Sequence, residues 1–201
     1  MSPAPPPNGS GQSGVRDSNP RSILDEKGIR RALTRIAHEI LERNEAPDVL
    51  YLVAIPNGGV PLARILATCL DEIAGLDVAV GVLDTTLYRD DLMQSGKRPP
   101  LRRTEMPSAV DERVVVLVDD VVKTGRTIRA AMDALMDFGR PRAVQVVGLV
   151  DRGHRELPIK LDYVGKNVPT QVGEAVRLRG AGADPGESLE VVVLPAEEHA
   201  A

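Results

Sequence analysis

Hydrophobic positions along the chain follow two spacings, which predict helices and strands in turn. Four continuous apolar runs predict strands buried on both faces, as in a parallel sheet, at residues 49–55, 78–83, 114–118 and 143–150. Helical patterns lie before, between and after these runs, at residues 29–41, 60–74 and 128–138. Strands that alternate with helices predict an α/β fold with a mostly parallel sheet.

Glycine, proline and polar clusters mark the boundaries of these elements. Pro56-Asn57-Gly58-Gly59 is a strong turn signal, and Gly75 is placed to end the second helix. Residues 84–107 carry many charges with weak periodicity, which predicts a long functional loop or a projecting hairpin. Residues 1–20 are rich in Pro, Ser, Gly and Asn and are expected to form a disordered tail.

Composition narrows the classes of function. The chain has 201 residues, and with about 150 residues per domain as a guide, residues 21–201 are expected to form one domain. Aromatic residues make up only 2 %, which disfavours binding of single strands by aromatic stacking. The net charge of −4 provides no global attraction for nucleic acid, so only a local basic patch is compatible with it. The single Cys69, with no signal peptide and no apolar run of about 20 residues, predicts a cytoplasmic location and no membrane span.

The most informative stretch runs from Val114 to Thr127. Its apolar strand is followed by two adjacent carboxylates, Asp119 and Asp120, then by a short loop and a helix. Ligands of open α/β sheets bind at the carboxyl ends of strands. Successive backbone N–H groups and the hydroxyls of Thr124 and Thr127 suit a phosphate at a helix N-terminus. The carboxylates suit sugar hydroxyls, or Mg²⁺ carried by the substrate. The stretch therefore predicts a site for a ribose 5-phosphate.

Two common phosphate-binding patterns do not fit this stretch. It lacks the Gly-Lys-Ser/Thr triplet of a P-loop and the three spaced glycines of a dinucleotide fingerprint. A strand that ends in an acidic turn, with threonine as an ordinary helix cap, would account for the two aspartates alone. The complete string of fourteen residues favours the nucleotide site.

The same stretch resembles the phosphoribosyl-pyrophosphate (PRPP) signature of the type I phosphoribosyltransferases. Four further segments resemble one subfamily, the pyrimidine-operon attenuation regulators, at residues 29–40, 86–92, 151–159 and 165–170. Members of that subfamily bind pyrimidine-biosynthesis leader mRNA, and many are also uracil phosphoribosyltransferases. The resemblance implies the type I phosphoribosyltransferase fold. That fold is α/β, with a mostly parallel central sheet flanked by helices, a flexible active-site loop and a small hood region.

The resemblance implies that uracil and PRPP react to give UMP and pyrophosphate, with Mg²⁺ carried by PRPP and no dedicated metal site on the protein. Asp119 and Asp120 would hold the ribose hydroxyls, with Asp120 near the positive charge that develops on the ribose. The 5-phosphate would bind at Lys123, Thr124, Gly125, Arg126 and Thr127. The pyrophosphate would bind at Asn57, Gly58 and Gly59. Arg89 is either a catalytic contact to pyrophosphate or a solvated loop charge.

The chain departs from the family pattern at two positions. Relatives usually have Thr-Arg-Gly where this chain has Asn57-Gly58-Gly59, so a charge-assisted contact to the leaving group is missing. Relatives usually have tyrosine at the position of Lys123, which here adds positive charge near the 5-phosphate and not at the pyrophosphate. We therefore expect nucleotide binding to persist and turnover to be weakened.

The resemblance also implies an RNA-binding surface. The positions that match the family's RNA contacts are Thr34, His38, Arg155, Lys160 and Lys166. Thr34 and His38 share one face of the first helix with Arg31 and Arg35, opposite its apolar stripe. Such a strip suits the unstacked bases and 2′-hydroxyls of an RNA hairpin loop, and it also fits an ordinary solvated helix face. UMP or UTP in the PRPP site would favour RNA binding, and a homo-oligomer, dimer or higher, is expected from the family.

Two other functions stay open at this level. A salvage phosphoribosyltransferase without an RNA role requires only the nucleotide site, and the basic strip argues against it. A non-catalytic RNA regulator would use the same site to sense nucleotides, and the altered pyrophosphate loop favours that alternative.

Overall fold

The computed structural model describes residues 19–56, 58–90, 103–171, 173–180 and 188–195. In chain order its elements are β1 (Arg21–Leu24), α1 (Glu26–Arg43), β2 (Leu50–Ala54), α2 (Gly59–Ala74), β3 (Val80–Val82), β4 (Val114–Val122), α3 (Arg126–Met136), β5 (Ala143–Asp151), β6 (Tyr163–Asn167), β7 (Ala175–Arg179) and β8 (Glu190–Leu194). Two short 3-10 turns, Pro47–Val49 and Thr86–Tyr88, precede β2 and follow β3. Most of the predicted tail and part of the predicted long loop lie outside the described residues. None of the described helices is long and apolar enough to cross a membrane.

Five strands form a parallel sheet in the order β3-β2-β4-β5-β6. The predicted α/β fold with a mostly parallel sheet is thus confirmed. The chain adds β3 on one side of β2, and β4 is then added on the other side. The loops after β2 and β4 therefore leave the sheet at its topological switch point, where ligands of open α/β sheets bind.

Aliphatic side chains fill both faces of this sheet. On β4, Val116 and Val118 join the core cluster under α1 and α2, whereas Val115 and Leu117 join the cluster under α3. All four are fully buried. Burying an aliphatic side chain of this size stabilises a fold by roughly 1.5–3 kcal/mol. Burying a carboxylate is costly instead, so the burial of Asp119 in the same strand suggests a functional role.

The central strand β4 is longer than the apolar run predicts. The run ends at Val118, but β4 continues through both aspartates to Val122. Its parallel neighbour supports this extension, because Val122 pairs with Asp151 at the end of β5. As a result Asp119 lies within the sheet, opposite Gly148, and not in the following turn.

A second, antiparallel sheet has the strand order β1-β8-β7. It brings the two ends of the described chain together, and Val191 and Val193 of β8 join the core cluster on the α1 side. The sequence pattern predicts only short strands and turns after residue 151, so this pairing is a finding of the structure. Pairing of β1 with β8 places the start of α1 beside this sheet.

Polar groups fix both ends of α1. At its start, the side chain of Asp25 accepts a hydrogen bond of 2.7 Å from the N–H of Gly28. At its end, buried Asn44 accepts 2.8 Å from Gln145 of β5, which in turn accepts 2.8 Å from the hydroxyl of Tyr163 on β6. Since buried polar groups are costly when unpaired, this network sets how α1 lies against β5 and β6.

Candidate functional site

The loops after β2 and β4 meet at the switch point of the parallel sheet. The N–H of Ile55 donates to the carbonyl of Val118 at 3.0 Å. A Cβ on Gly59 would overlap that same carbonyl oxygen. A Cβ on Gly58 would lie 2.5 Å from the Cβ of Asp120 and would overlap its carboxylate. Both glycines therefore let the start of α2 lie directly against β4, with Gly58 beside Asp120. Asn57, the third predicted residue here, lies outside the described residues.

Asp119, the residue before Asp120 on β4, is a buried carboxylate that is only 6 % exposed. It accepts a hydrogen bond of 3.0 Å from the N–H of Asp120. Burial raises the pKa of Asp119 well above its ordinary value, and the charge of Asp120 raises it further; the Asp120 N–H and Arg89 act in the opposite direction. A buried carboxylate with a raised pKa is stabilised by hydrogen-bond donors that a ligand brings. The vicinal hydroxyls of a sugar are such donors.

The loop between β4 and α3 contains a glycine in a backbone conformation that other residues rarely adopt. Gly125 has a φ of +89°, a left-handed conformation, and a Cβ there would lie 3.3 Å from Ile159. The hydroxyl of Thr124 accepts a bond of 3.3 Å from the N–H of Arg126, and Thr127 follows half-buried in the first turn of α3. The N-terminus of α3 points at this loop, which suits a phosphate. The side chain of Lys123 is exposed beside it.

The side chain of Arg126 is occupied by carboxylates. Its Nε lies 2.7 Å from Glu156 and its Nη1 lies 2.5 Å from Asp90. These contacts link the start of α3 to the segment after β5 and to the segment after β3. Because these carboxylates occupy the guanidinium, Arg126 would contribute to phosphate binding through its backbone N–H and its long-range charge.

Arg89 lies half-buried directly after the 3-10 turn Thr86–Tyr88. Its charge acts on Asp119 and lowers the pKa of that carboxyl. The side chain predicted at the pyrophosphate end is therefore within electrostatic range of the buried aspartate, although a separate segment of the chain carries it.

Comparison with known proteins now decides the family. Residues 21–178 match the family model described as the phosphoribosyl transferase domain. The chain belongs to the phosphoribosyltransferase family. It is 57 % identical over 175 residues to the bifunctional protein PyrR of Pelotomaculum thermopropionicum, covering 87 % of this chain and 96 % of that protein. It is 58 % identical over 154 residues to the bifunctional protein PyrR of Geobacter sulfurreducens, covering 77 % and 87 % respectively.

Solved structures agree on the fold. A mutant of the hypoxanthine phosphoribosyltransferase of Trypanosoma cruzi, in a ternary substrates complex, has a TM-score of 0.70 at 23 % identity. That match covers 90 % of this chain and 97 % of the other. The predicted family and type I phosphoribosyltransferase fold are confirmed, and the predicted function agrees with the bifunctional class of the relatives.

Arg155, a residue that the sequence suggests for RNA, holds the loop after β4 in place. Only 21 % of this side chain is exposed. Its guanidinium donates to the carbonyls of Lys123 at 2.7 Å and Ile159 at 3.0 Å, and to the carboxylate of Asp151 at 2.9 Å. Arg155 thus fastens the loop after β4 to the segment after β5. No local sequence signal indicates this pair, because a spacing of four residues brings side chains together in a helix and Asp151 instead ends a strand.

Three of the other residues suggested for RNA, Thr34, His38 and Lys166, are carried by α1 and β6, and Thr34 lies on the side of α1 that faces Cys69 of α2, 3.6 Å away. Thr34 is half-buried on α1 and donates to the carbonyl of Arg30 at 2.9 Å, while His38 is exposed one turn later. Arg35 reaches the carbonyls of Val164 and Gly165 on β6, at 2.8 and 2.9 Å. Lys166 of β6 donates to the carbonyl of Ile23 at 3.1 Å.

Lys160 is exposed and belongs neither to the residues on α1 and β6 nor to the contacts of Arg155. It directly follows Ile159, which faces Gly125 of the phosphate loop, and it precedes β6. The structure therefore separates the suggested RNA residues into a surface on α1 and β6 and a loop-holding residue, Arg155, with Lys160 in the segment that joins them.

Proposed function

We propose that this protein is a uracil phosphoribosyltransferase whose nucleotide site also controls binding to pyrimidine-operon leader RNA, with turnover weakened relative to nucleotide binding. The convergence of Gly58 and Asp120 carries this proposal. It brings the turn before α2 against the acidic end of β4, and this turn offers no guanidinium to the pyrophosphate of PRPP.

The chemistry requires no covalent intermediate with the protein. The bond between C1 of the ribose and pyrophosphate breaks, a bond from C1 to N1 of uracil forms, and the N1 proton of uracil passes to the departing pyrophosphate or to water. Asp119 and Asp120 accept hydrogen bonds from the ribose hydroxyls, and Asp120 stabilises the positive charge that develops near C1. The 5-phosphate lies at the N-terminus of α3. Mg²⁺ enters with PRPP as part of the substrate, and oxygen-rich groups such as these carboxylates suit it.

Turnover is expected to be low, because a missing charge-assisted hydrogen bond to the leaving group costs about 1.5–3 kcal/mol, or roughly 10- to 100-fold in rate. The measurement is UMP formation from uracil and PRPP, in parallel with a relative that has arginine at the position of Gly58. UMP should bind to both with similar affinity. Equal rates of UMP formation would contradict the proposal. Tight UMP binding with no turnover would favour the non-catalytic sensor, the second candidate function.

The α1 and β6 surface is proposed to bind RNA through Thr34, His38 and Lys166, supported by a strip of exposed polar and basic groups. Thr34→Ala is expected to weaken leader-RNA binding at least tenfold while leaving UMP binding and thermal stability unchanged. Thr68→Ala is a matched control, because Thr68 is also a helical threonine bonded to the carbonyl four residues earlier, at 3.1 Å, but on α2. A gel-shift assay with a pyrimidine leader measures both. Equal affinities would place the RNA elsewhere.

Arg155 offers a route by which the two sites influence each other. It holds the phosphate loop directly, so Arg155→Gln is expected to weaken UMP binding as well as RNA binding. Linkage requires that a nucleotide which tightens RNA binding is itself bound tighter by the same factor when RNA is present. We further propose a cytoplasmic homo-oligomer, dimer or higher, in which residues 21–201 form one domain.

A further inference from the structure

Both chain neighbours of Arg89 are tied to helix α3. The guanidinium of Arg129 donates to the backbone carbonyl of Tyr88 at 2.9 Å and lies 3.6 Å from the carboxylate of Asp90. Arg126, one turn earlier on α3, holds the same carboxylate at 2.5 Å. The hydroxyl of Tyr88 bonds to Asp137, just beyond the other end of α3. Residues 88 and 90 are thus held from one helix, with Arg89 between them.

Arg129 is itself well placed for this task. Its Nη1 donates to Asp133, four residues later, at 2.7 Å, which fixes the direction of the guanidinium. About a third of the side chain is exposed, so water weakens these contacts less than for a fully solvated arginine. Its neighbours Ile128 and Ala130 are fully buried, and Ile128 packs with residues of β4, so the helix that carries Arg129 is packed against the sheet.

We propose that Arg129 is a positioning residue for Arg89, because one guanidinium on the phosphate-binding helix holds both residues that flank Arg89 and so sets where that arginine stands. The inference rests on the proposed function, which assigns Arg89 to the pyrophosphate end of PRPP. Arg129 and Asp90 make no contact with substrate in this scheme. They join the segment after β3 to the helix whose N-terminus receives the 5-phosphate, so the two ends of PRPP are bound by groups in a defined geometry.

PRPP and UMP separate this role from a general structural one. UMP has the 5-phosphate and the ribose hydroxyls but no pyrophosphate, so Arg89 affects it only through its charge on Asp119. Arg129→Gln is therefore expected to weaken PRPP binding about tenfold, the size expected for one charge-assisted hydrogen bond, and to change UMP binding much less. Arg129→Lys keeps the charge but lacks the two separated nitrogens of the guanidinium. Its PRPP affinity should therefore fall between those of the parent and of Arg129→Gln.

The experiment is calorimetric titration of PRPP and UMP into the full chain, with Arg89→Ala, Arg129→Gln and the double variant. If Arg129 acts through Arg89, the double variant binds PRPP no more weakly than Arg89→Ala alone. Arg30→Gln is the control, because it also removes a helical arginine from an ion pair, with Glu72 at 2.7 Å, but on α1. Additive losses, an unchanged PRPP affinity in Arg129→Gln, or an equal loss for UMP would overturn the proposal.

Amide hydrogen exchange keeps this inference distinct from the proposed function. The amides of Tyr88 and Arg89 donate to the carbonyls of Thr85 and Thr86, at 3.0 and 3.4 Å. Arg129→Gln should speed their exchange, and unchanged exchange overturns the positioning role whatever PRPP does. If exchange speeds up while Arg89→Ala leaves PRPP affinity unchanged, Arg129 does anchor the segment and the assignment of Arg89 to pyrophosphate is what fails.

Discussion

Replacing Asp119 by asparagine is expected to make the protein more stable and, at the same time, to reduce UMP binding about a hundredfold. The carboxylate is buried in β4 beside Asp120, and burial together with that neighbouring charge raises its pKa well above the ordinary value. An asparagine of the same shape removes the charge. It also turns one acceptor into a donor, and the loss of two charge-assisted hydrogen bonds to a diol amounts to about 3 kcal/mol.

The pH dependence of stability also tests whether burial of the Asp119 carboxylate is costly. Because the folded protein binds the proton of Asp119 more tightly than the unfolded chain does, stability falls as pH rises from the unfolded pKa, about 3.9, to the raised folded value. Asp119→Asn should lose this part of the pH dependence and show its full gain in stability above that window. Thermal unfolding across pH measures it, with about 2–4 °C expected per kcal/mol for a chain of this size.

Asp77→Asn, at an exposed aspartate before β3, serves as the control and should change neither property. If Asp119→Asn were less stable than the parent at neutral pH, the carboxylate would be a stabilising part of the fold and not a strained group kept for a ligand. If it were more stable yet bound UMP normally, the diol site would lie elsewhere.

Adding a side chain at Gly58 is expected to damage the site and not to restore turnover. A Cβ there would lie 2.5 Å from the Cβ of Asp120, so even alanine forces the loop or the aspartate to move. Overpacking of this kind costs roughly 1–3 kcal/mol. Gly58→Ala should therefore lower the midpoint of thermal unfolding and weaken UMP binding about tenfold. Gly58→Arg, which recovers the family residue, should still fail to raise UMP formation.

A double-variant comparison isolates this cause. In an Asp120→Gly background the overlap is gone, so adding Gly58→Ala should change the unfolding midpoint little. Thermal unfolding measures this change in the midpoint, even though the Asp120→Gly variant is expected to bind nucleotide poorly. Turnover by Gly58→Arg at the level of an arginine-containing relative would show that the loop adapts to a side chain, and that the arginine alone was missing.

Much of the candidate site could be predicted from the sequence because its residues are contiguous. Val114 to Thr127 contains the strand, the carboxylates and the loop before α3 in one run, and local order is visible in a single sequence. The end of β4 could not be predicted, since Asp119 and Asp120 disfavour a strand and only pairing with β5 extends it to Val122. The role of Arg155 was hidden for the same reason, because the carbonyls that it binds come from another part of the chain.

The sequence by itself determined the α/β fold and the phosphoribosyltransferase family, and it marked the segment proposed to form the nucleotide site. Each of these depends on periodicity or on neighbouring residues, which the order of amino acids states directly. Only the tertiary structure decided that Gly58 presses against Asp120 and that Arg129 holds both neighbours of Arg89. It also decided that Arg155 fastens the loop after β4. These contacts join residues far apart in the chain, and their distances follow from how strands and helices pack and not from composition or spacing.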